Sequence, residues 1–209
     1  MKTLTQSIFT IAFTLVLTSF GFAAEQKAVF AGGCFWGVEA VFEHVKGVKD
    51  VRSGYTGGSK ETANYDDVSN GVSKHAEVVE ITFDDATITY EQLLYIFFTV
   101  AHDPTEIDRQ GPDIGPQYRS AVFYLNEKQK ASTEAFIKTI NSAKIYKNPV
   151  ATQVVKMDIY YNAEVYHQDF LKKNPEHPYI VYHDMPKLAD LKNRFSELWF
   201  DKYGMGKRL

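Results

Sequence analysis

Apolar positions change their spacing several times along the first half of the chain, and each change predicts a new element. Residues 28–31 are uniformly apolar and are followed by Gly32 and Gly33, which predicts a buried strand ended by a turn. After Cys34 the spacing becomes helical until Gly47, through Val38, Val41, Phe42 and Val45. Two further strands are predicted, one over residues 48–55 and one from about Ala76 to the Asp84-Asp85 turn, where Val79, Ile81 and Phe83 alternate with polar positions.

The second half of the chain alternates helices and strands around one long loop. Thr89 and Gln92 match a capping box ahead of a helical run that reaches Ala101. The loop over residues 102–119 is long enough to indicate a functional segment. Strands are predicted over residues 120–125 and 150–160, and helices over 126–143 (capped by Asn126), over 162–173 (capped by Asn162) and along Leu188, Leu191, Phe195 and Leu198.

This order of elements predicts an α+β fold. Strand, helix, strand, strand, helix and strand in succession are typical of a ferredoxin-like split β-α-β core. We therefore expect a two-layer α/β sandwich with a mixed sheet and extra C-terminal helices.

The first 23 residues have the layout of a secretory signal peptide. Lys2 is followed by no charged residue until Glu25, residues 8–22 are mostly apolar, and Gly21 and Ala23 supply the small residues that a signal peptidase reads. We expect cleavage after Ala23, one domain over residues 24–209, and export, with the periplasm as the compartment and no stable membrane association afterwards. An uncleaved membrane anchor is the alternative, although threonines interrupt the apolar stretch.

Composition argues against nucleic acid as a partner and leaves the role of the single cysteine open. The 209-residue chain has a formal net charge of −3, which gives no basic footprint for nucleic acid. It contains one cysteine, Cys34, whereas exported proteins ordinarily use cysteines in disulfide pairs. The unpaired cysteine is therefore a reactive thiol, an intermolecular link or an inert core residue.

The position of Cys34 favours the reactive thiol. It lies between the double glycine and the first turn of the predicted helix, where free N–H groups and the helix dipole favour an anion. We expect this placement to lower the pKa of the thiol. Phe35 and Trp36 follow directly and are candidates to wall a small apolar pocket. Phe35 also fits an ordinary core position, whereas Trp36 lies off the apolar stripe and is expected to face the cysteine.

The motif around Cys34 and several later motifs resemble the peptide-methionine (S)-S-oxide reductases. The segment Gly33-Cys34-Phe35-Trp36-Gly37 is similar to the family's signature. Further matches follow in the family's order, from about Lys27 to Lys173: Gly54-Tyr55-Thr56-Gly57-Gly58, Tyr65 with Val68 and Gly71, His75-Ala76-Glu77, His102-Asp103-Pro104-Thr105, Arg109-Gln110-Gly111, Asp113-x-Gly115-x-Gln117-Tyr118-Arg119-Ser120 and Tyr166-His167-Gln168.

The resemblance implies an enzyme that uses thiols to reduce methionine S-sulfoxide, in proteins and as the free amino acid, and so repairs oxidative damage without a cofactor. It implies that Cys34 is the nucleophile and that Glu77 donates a proton or a strong hydrogen bond to the sulfoxide oxygen. The remaining implied roles are oxygen binding by Tyr65 and Tyr118, organisation of the site by Asp113, and enclosure of the substrate's methyl group by Phe35 and Trp36.

The chemistry of sulfoxides independently requires an acid near the nucleophile. The sulfoxide oxygen leaves only after it is protonated, and a carboxyl group can supply that proton at neutral pH only if burial raises its pKa. Glu77 at the start of an apolar strand suits this demand. On its own it also fits a surface glutamate at a strand edge.

Two departures from the family pattern bear on the mechanism. Many members carry further cysteines near the C-terminus, whereas the tail Gly204–Leu209 has none. The oxidised intermediate is therefore expected to be a sulfenic acid on Cys34, reduced by an external thiol of the thioredoxin-like or glutaredoxin-like kind. Phe170 stands where family members often carry tyrosine.

Three other functions stay open from the residues alone. A metal hydrolase or deaminase would use His75, His102 and His167 as ligands, but the Pro-Cys-x-x-Cys partner and an i, i+4 histidine pair are missing. Structural histidines are the better interpretation. A cysteine hydrolase would activate Cys34 with His167, and a non-catalytic exported binding module would leave Cys34 inert.

Overall fold

A computed structural model describes residues 25–209, and the predicted signal segment lies outside these residues. Its eight strands are β1 (Glu25–Gly32), β2 (Val48–Thr56), β3 (Ala76–Asp84), β4 (Arg109–Gln110), β5 (Asp113–Ile114), β6 (Ser120–Tyr124), β7 (Gln153–Lys156) and β8 (Tyr161–Asn162). Its α-helices are α1 (Phe35–Glu43), α2 (Tyr65–Ser69), α3 (Tyr90–Ile96), α4 (Glu127–Ser142), α5 (Phe170–Lys173) and α6 (Met185–Arg194). No helix in this part of the chain is both long and apolar enough to span a membrane.

The main sheet has the predicted split β-α-β arrangement. Six strands follow the order β7-β6-β1-β3-β2-β8, and β4 pairs with β5 in a separate hairpin. β1 and β2, which α1 connects, are separated in the sheet by β3, and β3 runs antiparallel to both. The sheet is mixed because β6 pairs with β7 in parallel. The predicted α+β class and the ferredoxin-like core are therefore confirmed.

The main core lies between one face of the sheet and the helices. Alternation along β1 places Ala28 and Phe30 on that face and Val29 and Ala31 on the other. The Phe30 ring stacks on Phe97, with 4.7 Å between ring centroids. A smaller apolar cluster covers the second face, so the central strands are buried on both sides.

Local sequence signals explain where the helices begin. Thr89 accepts a hydrogen bond from the Gln92 backbone N–H at 3.2 Å, and the Gln92 side chain accepts one from the Thr89 N–H at 2.9 Å. This is the predicted capping box. Asn126 accepts from the Gln129 N–H at 2.9 Å and caps α4 as predicted.

Three predictions for the second half of the chain were wrong in extent or type. The strand expected over residues 150–160 is only β7, and α6 ends at Arg194, so Leu198 lies beyond it. The helix expected over residues 162–173 is reduced to α5, because Asn162 ends strand β8 instead of capping a helix.

Side-chain hydrogen bonds explain why residues 163–169 are not helical. Gln168 bonds to both backbone groups of Ser53: its Oε1 accepts from the N–H at 3.0 Å and its Nε2 donates to the carbonyl at 2.8 Å. Glu164 accepts from the Tyr65 backbone N–H at 2.9 Å. The segment is thus held against β2 and α2 in an irregular conformation.

Candidate active site

Cys34 occupies the junction between β1 and α1. It is the residue that immediately precedes α1, and Gly33 before it has φ +91°, a left-handed conformation that glycine adopts without strain. A Cβ on Gly33 would also lie 2.6 Å from Cβ of Gln110. The glycine therefore sets the direction in which Cys34 leaves the strand. Cys34 itself is half-buried.

Glu77 is a buried carboxyl group beside the first turn of α1. It is the second residue of β3, it is 2% exposed, and its Oε2 accepts a hydrogen bond from the Phe35 backbone N–H at 3.0 Å. Burial raises the pKa of Glu77 to about 8, although the Phe35 N–H acts in the opposite direction. Most molecules therefore hold this carboxyl protonated at pH 7, and the alternative of a surface glutamate is excluded.

The expected lowering of the Cys34 pKa was wrong. Burial raises the pKa of the thiol well above its ordinary value, and the negative charges of Glu77 and Asp184 raise it further. The Trp36 N–H lowers it, but too weakly to reverse the shift. The physical reason is that burial disfavours the thiolate, and the first turn of α1 does not compensate for it because Glu77 takes the Phe35 N–H.

Tyr65 and Tyr118 are brought to this junction from separate segments. Tyr65 begins α2, and Tyr118 ends the short 3-10 turn before β6. Burial raises the pKa of Tyr65 to about 12 and raises that of Tyr118 as well, and in both cases the negative charges of Glu77 and Cys34 add to the effect. Both hydroxyl groups are therefore neutral donors that lie near the acid and the cysteine.

The two aromatic residues after Cys34 point to different places. Phe35 is 1% exposed, and its ring centroid lies 5.0 Å from that of His167, inside the core. Trp36 stacks flat on Phe170, with centroids 3.6 Å apart, and its Nε1 donates to His167 Nδ1 at 3.0 Å. The stacking supports an aromatic wall on the cysteine's side of α1.

A cleft of about 110 Å³ opens at Cys34. The long loop contributes Gln110, Gly111, Pro112 and Asp113 to its lining, and the C-terminal segment contributes Tyr179, His183 and Lys187. Asp113 begins β5 and accepts a hydrogen bond from the Tyr179 hydroxyl. The place of these loop residues in the lining of the cleft fits the prediction that the loop is a functional segment.

A family model described as peptide methionine sulfoxide reductase matches residues 26–199. The chain belongs to this family. Peptide methionine sulfoxide reductase MsrA 2 from Mesorhizobium japonicum is 51% identical over 177 residues, which cover 85% of this chain and 91% of that protein. The corresponding MsrA 2 from a Synechocystis strain is 51% identical over 172 residues, or 82% of this chain and 80% of the relative.

Solved structures of the family share the fold. The reduced form of Mxr1 from Saccharomyces cerevisiae superimposes with a TM-score of 0.66 at 30% identity, covering 73% of this chain and 87% of that one. Methionine sulfoxide reductase A of Corynebacterium diphtheriae gives a TM-score of 0.64 at 29% identity, covering 74% and 77%. The resemblance stated from the motifs is thereby confirmed.

The histidines considered as metal ligands or as a catalytic base have other partners. His75 accepts from the Gly58 N–H at 3.2 Å, and its Nε2 is 2.9 Å from the Ser59 carbonyl. His102 contacts the Phe97 carbonyl and the Ser120 hydroxyl at 2.9 and 2.6 Å. Since His167 Nδ1 accepts from Trp36, that nitrogen is committed to the indole. Residues 25–209 contain no cluster of three or more His, Cys, Asp or Glu residues that could hold a metal.

Sequence reasoning missed Tyr179 and Lys187, both of which line the cleft. No spacing argument singles out Tyr179 among the chain's thirteen tyrosines. The i, i+3 spacing of Asp184 and Lys187 could have indicated an ion pair. Nothing in the pattern, however, shows that this pair faces Cys34.

Proposed function

We propose that this protein reduces methionine S-sulfoxide to methionine, free or within proteins, with Cys34 as the nucleophile and Glu77 as the proton donor. The observation that carries the proposal is a buried carboxyl group, that of Glu77, which accepts a hydrogen bond from the N–H of Phe35, the residue directly after the chain's only cysteine. The pKa of Glu77, raised to about 8 by burial, keeps its proton available at neutral pH. The negative charge of Glu77 also acts on the pKa of Cys34, which supports their proximity.

The proposed first step is balanced in atoms and electrons. Glu77 gives its proton to the sulfoxide oxygen, and the Cys34 sulfur attacks the substrate sulfur as the thiol proton passes to the Glu77 carboxylate. The attack joins the two sulfur atoms, and this S–S bond and the substrate's S–O bond then break as the protonated oxygen passes, as a hydroxyl group, to the Cys34 sulfur. The products are methionine and a Cys34 sulfenic acid, so the cysteine sulfur has been oxidised by two electrons.

The remaining side chains position the sulfoxide. The hydroxyl groups of Tyr65 and Tyr118 are neutral donors, as their raised pKa values imply, and in our proposal they bind the sulfoxide oxygen. Asp113, which lines the cleft and accepts a hydrogen bond from Tyr179, organises the site in our proposal. Trp36, held by its stacking on Phe170, encloses the substrate's methyl group in our proposal. Phe35 is 1% exposed and packs in the core, so, contrary to the expectation, we assign it no contact with the substrate.

The second half of the cycle needs thiols from outside the chain, because no second cysteine is present. A thiolate attacks the sulfenic acid, water is released, and a second thiol reduces the mixed disulfide. We propose a thioredoxin-like or glutaredoxin-like protein as the physiological donor.

Reduction of separated methionine sulfoxide epimers, with dithiothreitol as the only reductant, tests the activity. We expect turnover of the S epimer alone. Without thiol, the burst should stop near one methionine per enzyme and leave Cys34 reactive toward dimedone, as mass spectrometry would show. An unmodified Cys34 after methionine release contradicts the sulfenic acid, and an acyl-enzyme or turnover without thiol indicates a hydrolase.

We also propose that the protein is exported to the periplasm after cleavage behind Ala23. The support is the charge and apolar pattern of residues 1–23. N-terminal sequencing of the protein recovered from cell fractions tests this. A first residue of Ala24 in the periplasmic fraction is expected, whereas an intact Met1 in the membrane fraction would indicate an anchor.

A further inference from the structure

Lys187, which lines the cleft, forms an ion pair with a buried carboxyl group. Asp184 is 1% exposed, and its Oδ1 lies 3.2 Å from Lys187 Nζ. Its Oδ2 is buried and has no hydrogen-bond partner within residues 25–209. Burial of a carboxylate is costly unless a counter-charge compensates it. The burial of the Asp184 carboxylate costs free energy, and packing alone does not explain why the protein accepts this cost. We therefore attribute to Asp184 the role of holding Lys187 in place.

Helix α1 leaves space for this pair. Gly37, in the first turn after Cys34, is a residue that costs a helix about 1 kcal/mol relative to alanine. A Cβ on Gly37 would lie 2.0 Å from Asp184 Oδ1 and 2.8 Å from Lys187 Nζ. The pair is thus packed directly against the turn that carries the nucleophile.

Lys187 gives the cleft its positive charge. It is the only lysine or arginine among the described residues that line the cleft with Cys34, and its side chain is 21% exposed. The acidic groups near the sulfur are Glu77, Asp113 and Asp184, all of which act on the pKa of Cys34. Apart from His183, the other ionisable side chains that line the cleft are Cys34, Asp113 and Tyr179, so Lys187 is the group that can attract an incoming thiolate.

We propose that Lys187, positioned by Asp184, promotes the reduction of the Cys34 sulfenic acid by external thiols. The inference rests on the proposed function, because it concerns the second half of that cycle. The Lys187 ammonium attracts the thiolate and donates a proton to the departing oxygen. The S–O bond of Cys34 breaks, an S–S bond forms with the thiol sulfur, and water leaves. Solvent then returns the proton to Lys187, and a second thiolate releases Cys34 and carries away the disulfide.

Separate measurement of the two half-reactions tests the role of Lys187. The variants are Lys187→Met, Lys187→Arg and, as a matched control, Lys192→Met. Lys192 lies on the same helix but donates to the Gly206 carbonyl and does not line the cleft. The methionine burst is measured without thiol. The loss of sulfenic acid is then followed with cysteamine, 2-mercaptoethanol and 2-mercaptoethanesulfonate, with rates referred to thiolate concentration.

We expect Lys187→Met to slow the loss of sulfenic acid by about 10-fold or more. General acid catalysis usually contributes about 10²–10⁴-fold, so this effect begins below that range. The loss should be greatest for the sulfonate thiol, and Lys187→Arg should restore most of the rate. Lys192→Met should match wild type. A merely structural role would slow all three thiols equally and would also affect the burst.

Each outcome separates this inference from the proposed function. A normal burst with unchanged rates for all three thiols in Lys187→Met overturns the role of Lys187 alone. Absence of a burst in wild type overturns the proposed function itself. If Lys187→Met does not fold, the salt dependence of the wild-type enzyme tests the inference instead. Added salt should slow the sulfonate thiol most, and equal salt dependence of the three thiols would refute the inference.

Discussion

Replacement of Glu77 by glutamine should make the protein less active and more stable at the same time. Glutamine keeps the shape of the side chain and can still accept the 3.0 Å hydrogen bond from the Phe35 N–H, but it cannot transfer a proton to the sulfoxide oxygen. We expect the rate of sulfoxide reduction to fall by about 10²–10⁴-fold, the usual span for general acid catalysis. Alkylation of Cys34 should remain possible.

The size of the stability effect follows from the raised pKa of the carboxyl. Its pKa is about 8 in the folded protein and 4.5 ordinarily. A raised folded-state pKa means that stability is fully present below pH 4.5 and is lost as pH rises towards 8. Since one pKa unit corresponds to about 1.4 kcal/mol, the loss reaches about 3 kcal/mol at pH 7. Glutamine does not ionise and avoids this loss.

Urea unfolding at a series of pH values between 4.5 and 9 measures the effect. The difference in the free energy of unfolding between Glu77→Gln and wild type should grow with pH and level off above about pH 8. Glu39 offers a matched control, because it is also 2% exposed and burial, together with the charges of Glu43 and Asp169, raises its pKa to about 8. Glu39→Gln should show a similar stability gain with activity within about 2-fold of wild type.

Three results would refute the reasoning about Glu77. A stability difference that does not change with pH would mean that the carboxyl is already ionised at neutral pH, so that it has no proton to give. Wild-type activity in Glu77→Gln would mean that another group supplies the proton. A loss of activity in Glu39→Gln as large as that in Glu77→Gln would mean that removal of any buried charge disturbs the site.

Three further experiments test the site. Cys34→Ser should abolish reduction, because a serine hydroxyl is far less ionised than a thiol, and activity above a few per cent in an epimer-specific assay would exclude Cys34 as the nucleophile. The alkylation rate of free Cys34 should still rise with pH above pH 9, because burial raises the thiol pKa. In Glu77→Gln that pKa should be lower, and an identical alkylation profile would contradict the proximity of the two groups. Gly37→Ala should destabilise the fold by about 1–3 kcal/mol in thermal or urea unfolding, because the clash with Asp184 outweighs the gain in helix propensity; a stabilised variant would show that the ion pair moves away freely.

Local signals allowed much of the fold to be predicted. Neighbouring residues determine the capping box at Thr89, the cap at Asn126 and the apolar alternation of β3. These elements appear where expected. Residues 163–169 could not be predicted in this way. Their conformation depends on hydrogen bonds from Gln168 and Glu164 to residues about 100 positions away, and no local pattern encodes such partners.

The residues of the candidate site also differ in whether the local sequence predicts them. Cys34 stands out because a single cysteine follows two glycines at a helix start. The burial of Glu77 follows from the place of β3 between β1 and β2, which is a property of the sheet and not of the residues around Glu77. Tyr65 and Tyr118 were named only through the family resemblance. They come together because α2 and the turn before β6 are in contact, where Gln117 Nε2 donates a hydrogen bond to the Ser69 carbonyl at 3.0 Å.

Burial at the site favours a neutral thiol at rest over the expected thiolate. A helix start stabilises an anion only through N–H groups that remain free, and here the Phe35 N–H is bonded to Glu77. Burial then favours the neutral forms of both Cys34 and Glu77. A resting pair of thiol and carboxylic acid holds both protons that the first step moves. The chemistry we propose therefore begins only when a sulfoxide oxygen arrives to accept one of them, which protects the Cys34 thiol from reaction with other electrophiles.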